Sequence, residues 1–351
     1  MSRPDPAVAA VRLAVRDLLE SIEISRVSGA SRVSGASRVG EVAGSSRELY
    51  VGVSGGADSL ALVEAVAYAA HRAGHRVAAL IVDHGLQHNS SWIADEAASL
   101  SRKLGADRAQ VLPVRVDGRG GPEAAARRAR YGALRAASDG GLVLLGHTLD
   151  DQAETVLLGL GRGSGPRSVA GMRPYDHPWA RPLLAIPRTT TVAACAALDV
   201  EPWRDPHNDD SRYTRVRLRK EALPLLEDVL AGGVAAALAR TAAQLREDIE
   251  VLDTLAGALH TRACVPGGLD VAVLGTEPPT LRRRVLRTWL RGSGVRELTD
   301  AHLRAVDALI ADWHGQGGVW LPGGFEAGRA HGRLSLITPP QEAPVPTTRG
   351  D

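Results

Sequence analysis

Four times between residues 49 and 160, a short apolar run gives way to an amphipathic stretch of helical period. The runs are Leu49–Val53, Val77–Val82, Val111–Val116 and Leu142–Leu145. The helical stretches that follow them are Ser59–Ala73, Trp92–Leu104, Glu123–Ala137 and Asp150–Leu160. This alternation predicts parallel strands joined by helical crossovers, since a parallel pair cannot be closed by a tight turn. The expected fold is α/β, with a doubly wound, mainly parallel sheet. Ligands of such sheets bind beyond the carboxyl ends of the strands. Three segments fall there: Ser54–Ser59, Val82–Leu86 and Gly146–Thr155.

The 351 residues suggest about two domains. Residues 1–47 read as an N-terminal helix over Asp5–Glu20 followed by a flexible insertion. In that insertion Ser25–Ala30 is repeated as Ser31–Ala36. Residues 48–221 carry the strand–helix alternation. Within them, Gly161–Pro187 reads as an ordered loop and Thr189–Leu198 as a helix. Residues 222–338 read as a smaller, mostly helical domain, with short strands over Val319–Ile337. The Pro-rich tail, 339–351, is expected to be disordered.

A hydrophobic content of 44% and a charged content of 23% exclude a wholly disordered chain, a collagen-like fibre and a disulfide miniprotein. Cys195 and Cys264 are far apart and form no CxxC pair, which argues against structural zinc or an iron–sulfur cluster. No apolar run approaches the ~18 residues of a membrane span. The N-terminus has no signal-peptide core, so a cytoplasmic protein without a membrane partner is expected. The net charge is only +2, so any nucleic-acid argument rests on local clusters.

Ser54-Gly55-Gly56-Ala57-Asp58-Ser59 follows a strand and opens a helix. Two glycines allow a tight bend, the helix start offers N–H groups and a positive dipole end, and two serines add hydroxyls. This is a pyrophosphate cradle. It lacks the lysine of the GxxxxGK[ST] nucleotide loop. Asp58 beside it suits Mg²⁺ bridging to phosphate; the same residue would also serve as a simple helix cap. Glu123, Arg127 and Tyr131 are spaced by four on one helix, with Arg130 adjoining. They form either an ordinary helix pair or a guanidinium that reaches phosphate. In Gly146-His147-Thr148-Leu149-Asp150-Asp151-Gln152-Ala153-Glu154-Thr155, carboxylates crowd the first helical turn. The dipole alone favours that. With His147, the same acids make a Mg²⁺ site or an ammonium pocket, and one acid could deprotonate an attacking amine. Arg212, Arg215, Arg217, Arg219 and Lys220 crowd one segment, and Arg282, Arg283, Arg284, Arg287 and Arg291 another. Either cluster is a solvated helix face or a grip on a phosphate backbone.

SGGxDS after a first strand resembles the PP-loop family of ATP pyrophosphatases. Within that family the chain is similar to the tRNA(Ile)-lysidine synthetases. The likeness runs in order through Ser54–Ser59, Val82–Leu86, the EAAARRARY stretch Glu123–Tyr131, Gly146–Gly165 and Asp205–Arg219. It departs at Gln87, where the family carries Arg, and at His207, where it carries Ser. The resemblance implies ATP and Mg²⁺ as cofactors, and L-lysine and an isoleucine tRNA with a CAU anticodon as partners. The implied reaction adenylates the wobble cytidine and then joins lysine to it. The implied nucleotide-binding residues are Ser54, Gly55, Gly56, Ala57, Asp58, Ser59, Asp83 and His84. The implied catalytic residues are Asp58, Asp151, Glu154, His147 and Arg127, with Asp58 and Asp151 as metal ligands. Arg130, Arg212, Arg215, Arg217, Arg282 and Arg287 are the expected tRNA contacts. A tRNA thiolase usually needs paired cysteines, which are absent here, and a glutamine-dependent amidotransferase needs a glutaminase domain or an N-terminal Cys, neither of which fits; an NAD synthetase and an RNA-binding protein with a vestigial nucleotide site stay open as rivals.

Overall fold

The computed structural model describes residues 4–27, 48–85, 89–117, 121–163, 165–205 and 210–337. Most of the Ser25–Ala36 repeat, Gln87, His207 and the tail from 339 lie outside the described residues. Two compact units divide at Leu245/Arg246.

The first unit opens with α1 (Pro6–Val27), followed by β1 (Glu48–Val53), α2 (Ala57–Arg72), β2 (Arg76–Asp83), α3 (Ser90–Lys103), β3 (Arg108–Pro113), α4 (Pro122–Ala137), β4 (Val143–Leu145) and α5 (Leu149–Arg162). Then come α6 (Pro166–Val169), β5 (Tyr175–Asp176), β6 (Trp179–Ala180), α7 (Arg188–Ala197), α8 (Thr214–Arg217), a π-helical turn over Leu218–Ala222 and α9 (Leu223–Val229). The strands form one sheet in the order β3-β2-β1-β4-β6-β5, parallel except for the edge strand β5. The chain steps outward from β1 to β3, then returns to the other side of β1 as β4. The switch point therefore lies between β1 and β4, where a doubly wound sheet opens its ligand crevice.

Side chains of the central strands alternate between two cores, as the period of two in a strand requires. Val51 and Val53 of β1, with Val77, Ala79 and Ile81 of β2, join the core that holds α1, α2 and α7 residues. Tyr50, Ala78 and Leu80 point the other way, into a core with Leu134 of α4, Leu145 and Trp179. Helix α1 buries Val8, Val11, Val15 and Ile22, a spacing that keeps one face inward. Its Arg12 pairs with Glu64 of α2 and lies 3.9 Å from the Tyr68 ring centroid.

Within the stretch read as a loop, β5 and β6 are two-residue strands, too short to leave a periodic signal. The strand expected at Val111–Val116 starts three residues earlier, at Arg108.

Helix α10 (Val234–Ala263) runs through the division of the units. The second unit continues with β7 (Cys264–Val265), β8 (Gly268–Asp270), α11 (Val271–Gly275), α12 (Pro279–Gly292), α13 (Asp300–Ala311), β9 (Val319–Leu321), β10 (Phe325–Ala330) and β11 (Arg333–Ile337). Its antiparallel sheet has the order β7-β8-β11-β10-β9 and shares a core with α10 to α13, including Leu259, Leu286, Leu303 and Leu334. Among the described residues, no single helix is long and apolar enough to cross a membrane.

Candidate active site

The turn after β1 bends through Gly55, whose φ of +80° is a conformation that side-chain-bearing residues rarely adopt. Ser59 locks the turn: its hydroxyl accepts from the Ser54 N–H at 3.2 Å and donates to the Gly56 carbonyl at 2.9 Å. The first turn of α2 then faces the crevice with N–H groups that have no partner within the helix. The end of β4 comes up against this turn. A Cβ on Gly146 would lie 2.9 Å from the Asp58 carbonyl oxygen, so only glycine allows the two segments to meet.

Beyond Gly146, Thr148 and Asp151 close a capping box at the start of α5. Asp151 accepts from the Thr148 N–H at 2.9 Å and its hydroxyl at 3.1 Å. Its other oxygen accepts from Arg188 at 2.8 Å. The Arg188 Nε also donates to Asp58 at 3.1 Å, and Thr191 donates to the second Asp58 oxygen. Arg188 is not among the residues that the sequence singles out. Burial works against its charge, but Asp151 and Asp58 outweigh that and raise its pKa. Burial likewise pushes the Asp58 carboxyl up, while Arg188 and the Thr148 N–H hold Asp151 below the usual range despite its burial.

Glu154, one turn into α5, is fully buried. It accepts from Arg219 at 2.8 Å and from Arg215 at 3.3 Å. These arginines are four apart on the helical stretch through α8 and the π turn, so they share a face. The basic run is therefore two-sided. Arg215 and Arg219 point at the carboxylates. Arg212 and Arg217 are exposed, paired with Asp210 and Glu221. Such surface pairs contribute little to stability.

A cleft of about 380 Å³ lies against the turn, lined by Ser54, Gly56, Asp83, His84, Arg130 and Trp203 among others. That volume falls within the range of small-molecule sites. The Trp203 N–H holds the Gly55 carbonyl at 2.9 Å and ties the cleft wall to the turn. His84 has a buried Nδ1 with no partner, and burial and Arg130 lower its pKa. Arg130, expected at the tRNA, lines this cleft. Arg127, expected to be catalytic, is exposed and lies over the Tyr131 ring at 5.0 Å.

The His147 Nδ1 is also buried and unpartnered. Burial, with repulsion from Arg130, Arg181 and Arg127 against the pull of Asp151, lowers its pKa to about 3. The imidazole is neutral at physiological pH. Below the ordinary value of 6.5 the unfolded chain takes up a proton that the folded chain refuses, so stability declines as the pH drops from there to about 3. His147→Asn should flatten the decline of melting temperature between pH 6.5 and 4 relative to wild type. Parallel profiles for the two proteins would contradict the neutral, buried assignment.

In the second unit, Arg282 corrects the expected tRNA surface. Its guanidinium is buried and donates to both oxygens of buried Asp307, at 2.7 and 3.1 Å. An RNA phosphate cannot reach it. Arg284 is likewise turned inward to Asp253. Of that run, Arg283 and Arg287 are half-buried on α12, both close enough to Asp300 to lower its pKa, behind its bond to Arg304.

The PP-loop domain family matches residues 33–226, and the TilS substrate binding domain family matches residues 269–335. A tRNA(Ile)-lysidine synthase of Rhodococcus jostii is 56% identical over 294 residues, which span 82% of this chain and 89% of that one. The chain belongs to the tRNA(Ile)-lysidine synthase family. Synthases of Nocardia farcinica and Mycolicibacterium paratuberculosis are each 55% identical, covering 92% and 90% of their own lengths. For this family the PP-loop domain implies ATP. The residues fit it: a bent turn at a helix start, a cleft of nucleoside size and an orphaned His84 nitrogen at its wall. They do not fit a protein-held Mg²⁺. All four oxygens of Asp58 and Asp151 already accept hydrogen bonds, and Arg188 sits between the two carboxylates. No group of three possible metal ligands occurs among the described residues.

Proposed function

We propose that the protein is the ligase that makes lysidine in an isoleucine tRNA with a CAU anticodon, and that it acts in the cytoplasm. ATP adenylates the C2 carbonyl oxygen of the wobble cytidine and pyrophosphate leaves. The ε-amine of L-lysine then attacks C2, gives up its proton, and AMP departs with the oxygen. Adenylation turns a poor leaving oxygen into a good one, which is why a lysine ligase carries a pyrophosphate-binding turn.

One observation carries this reading. The turn after β1 stands between the cleft, which its Ser54 and Gly56 line, and the linked carboxylates Asp58 and Asp151, with Glu154 one helical turn beyond. Ser54 to Ser59 are assigned to the pyrophosphate that leaves. Asp83, His84, Arg130 and Trp203 are assigned to the nucleoside. Neutral His147 offers a hydrogen bond without adding charge beside the reacting oxygen. Of Asp151 and Glu154, one holds the lysine ε-ammonium and the other accepts the proton that frees the attacking amine. In the ligand-free protein Arg188, Arg215 and Arg219 balance these carboxylates, so the triphosphate enters a site already rich in guanidinium groups suited to it. Mg²⁺ enters with ATP, carried by phosphate oxygens rather than by a protein cage. Exposed Arg212 and Arg217, with Arg283 and Arg287 of the second unit, are assigned to the tRNA backbone.

Pyrophosphate release tests the reading. It should require the isoleucine tRNA together with ATP. Release without any tRNA would indicate an NAD-synthetase-like ligase, and no release under any condition would indicate a binding protein.

A further inference from the structure

Arg188 is the first residue of α7, where the positive end of the helix dipole disfavours a cation. It is held there against that field. Its backbone N–H donates to Asp150 at 2.8 Å, while its side chain spans Asp58 and Asp151 at 3.1 and 2.8 Å. The remaining oxygen of Asp58 accepts from Thr191, and that of Asp151 from Thr148. Asp58 belongs to the phosphate turn and Asp151 to the segment after β4, so this one guanidinium joins the two sides of the switch point. Two carboxylates this close beside a phosphate site are the arrangement in which a divalent ion commonly sits. Here a protein cation already bridges them, with Arg219 a further 3.6 Å from Asp151.

We propose that Arg188 is a positioning residue that acts as a built-in cation: in the ATP-free enzyme its guanidinium keeps divalent ions out from between Asp58 and Asp151. The free enzyme then has no standing divalent-ion site, and its metal requirement arises only with the nucleotide. A fixed guanidinium holds both carboxylates in place without depending on the ambient metal concentration. When a triphosphate arrives it offers Arg188 competing oxygens of the kind that guanidinium groups bind well. The inference takes its purpose from the ATP reading above, but its test does not need ATP.

The experiment is a titration of the full-length, ATP-free protein with Mn²⁺, followed by the electron paramagnetic resonance signal of the free ion. Wild type should show no tight site. Arg188→Ala should take up one Mn²⁺ at least about tenfold more tightly than wild type, the step worth about 1.4 kcal/mol. Arg188→Lys, which keeps a cation there, should stay close to wild type. Adding Asp151→Asn to Arg188→Ala should abolish the new site, which ties it to this carboxylate pair. If Arg188→Ala fails to fold by circular dichroism, Arg188→Gln keeps the side-chain bulk without the charge and serves in its place. Equal Mn²⁺ affinity in wild type and the neutral variant would overturn the proposal. Absence of ATP binding to wild type, measured separately by calorimetry, would instead overturn the ATP reading and leave the exclusion of metal standing.

Discussion

Asp58→Ala abolishes adenylation while tRNA binding persists. The carboxylate lies on the turn after β1 and accepts from both Arg188 and Thr191, so its loss removes the only negative charge on that turn and leaves Arg188 held by Asp151 alone. We expect pyrophosphate release to fall at least about a hundredfold, roughly 2.7 kcal/mol of barrier. The tRNA affinity should stay within about twofold, since the residues assigned to RNA lie elsewhere. The measurement is pyrophosphate release under saturating tRNA, alongside a filter-binding isotherm. Near-normal release would remove Asp58 from the mechanism, and equal losses of release and tRNA binding would indicate misfolding.

The second large effect concerns stability. Arg282→Ala leaves the buried Asp307 carboxylate without its cation, with side-chain exposures of only 8% and 9% across the pair. Breaking such a pair from one side costs about 3–5 kcal/mol. The second unit should therefore melt well below wild type. Replacing both partners with apolar residues of similar size should recover much of that loss, because the penalty comes from the stranded charge. Arg212→Gln with Arg217→Gln should behave in the opposite way. Their surface ion pairs add little to stability, so the melting temperature should barely move. The tRNA affinity should fall, and its salt dependence should flatten by about one unit of slope for each phosphate no longer neutralised. If Arg282→Ala flattened the salt slope without loss of stability, the buried assignment would be wrong.

These contrasts show what the sequence could reveal and what it could not. Strand–helix alternation is a local pattern, and it located the parallel sheet and the strand ends where the three motifs fall; the switch point between β1 and β4 emerges only from the strand pairing. The phosphate turn was legible because glycines, serines and an acid sat together in six consecutive residues. Arg188 was not, because its partners lie 130 and 37 residues away along the chain. One signal existed: a basic residue opening a helix stands against the dipole and therefore implies a specific acidic partner. The basic run at 212–220 was legible as charge but not as two faces. The fourfold spacing of Arg215 and Arg219 becomes informative only once buried Glu154 is placed opposite them. Arg282 looked like its neighbours on α12, and only the packing of α13 shows that its guanidinium turns inward to Asp307.

Lysidine formation is tested directly by incorporation of labelled lysine into tRNA, with ATP and Mg²⁺ present. Two transcripts would be compared, the isoleucine tRNA and the methionine tRNA that share a CAU anticodon. Label should enter the isoleucine tRNA alone. Absence of label from both, with pyrophosphate still released on a small carboxylate substrate, would leave the ATP site intact and contradict the lysidine assignment.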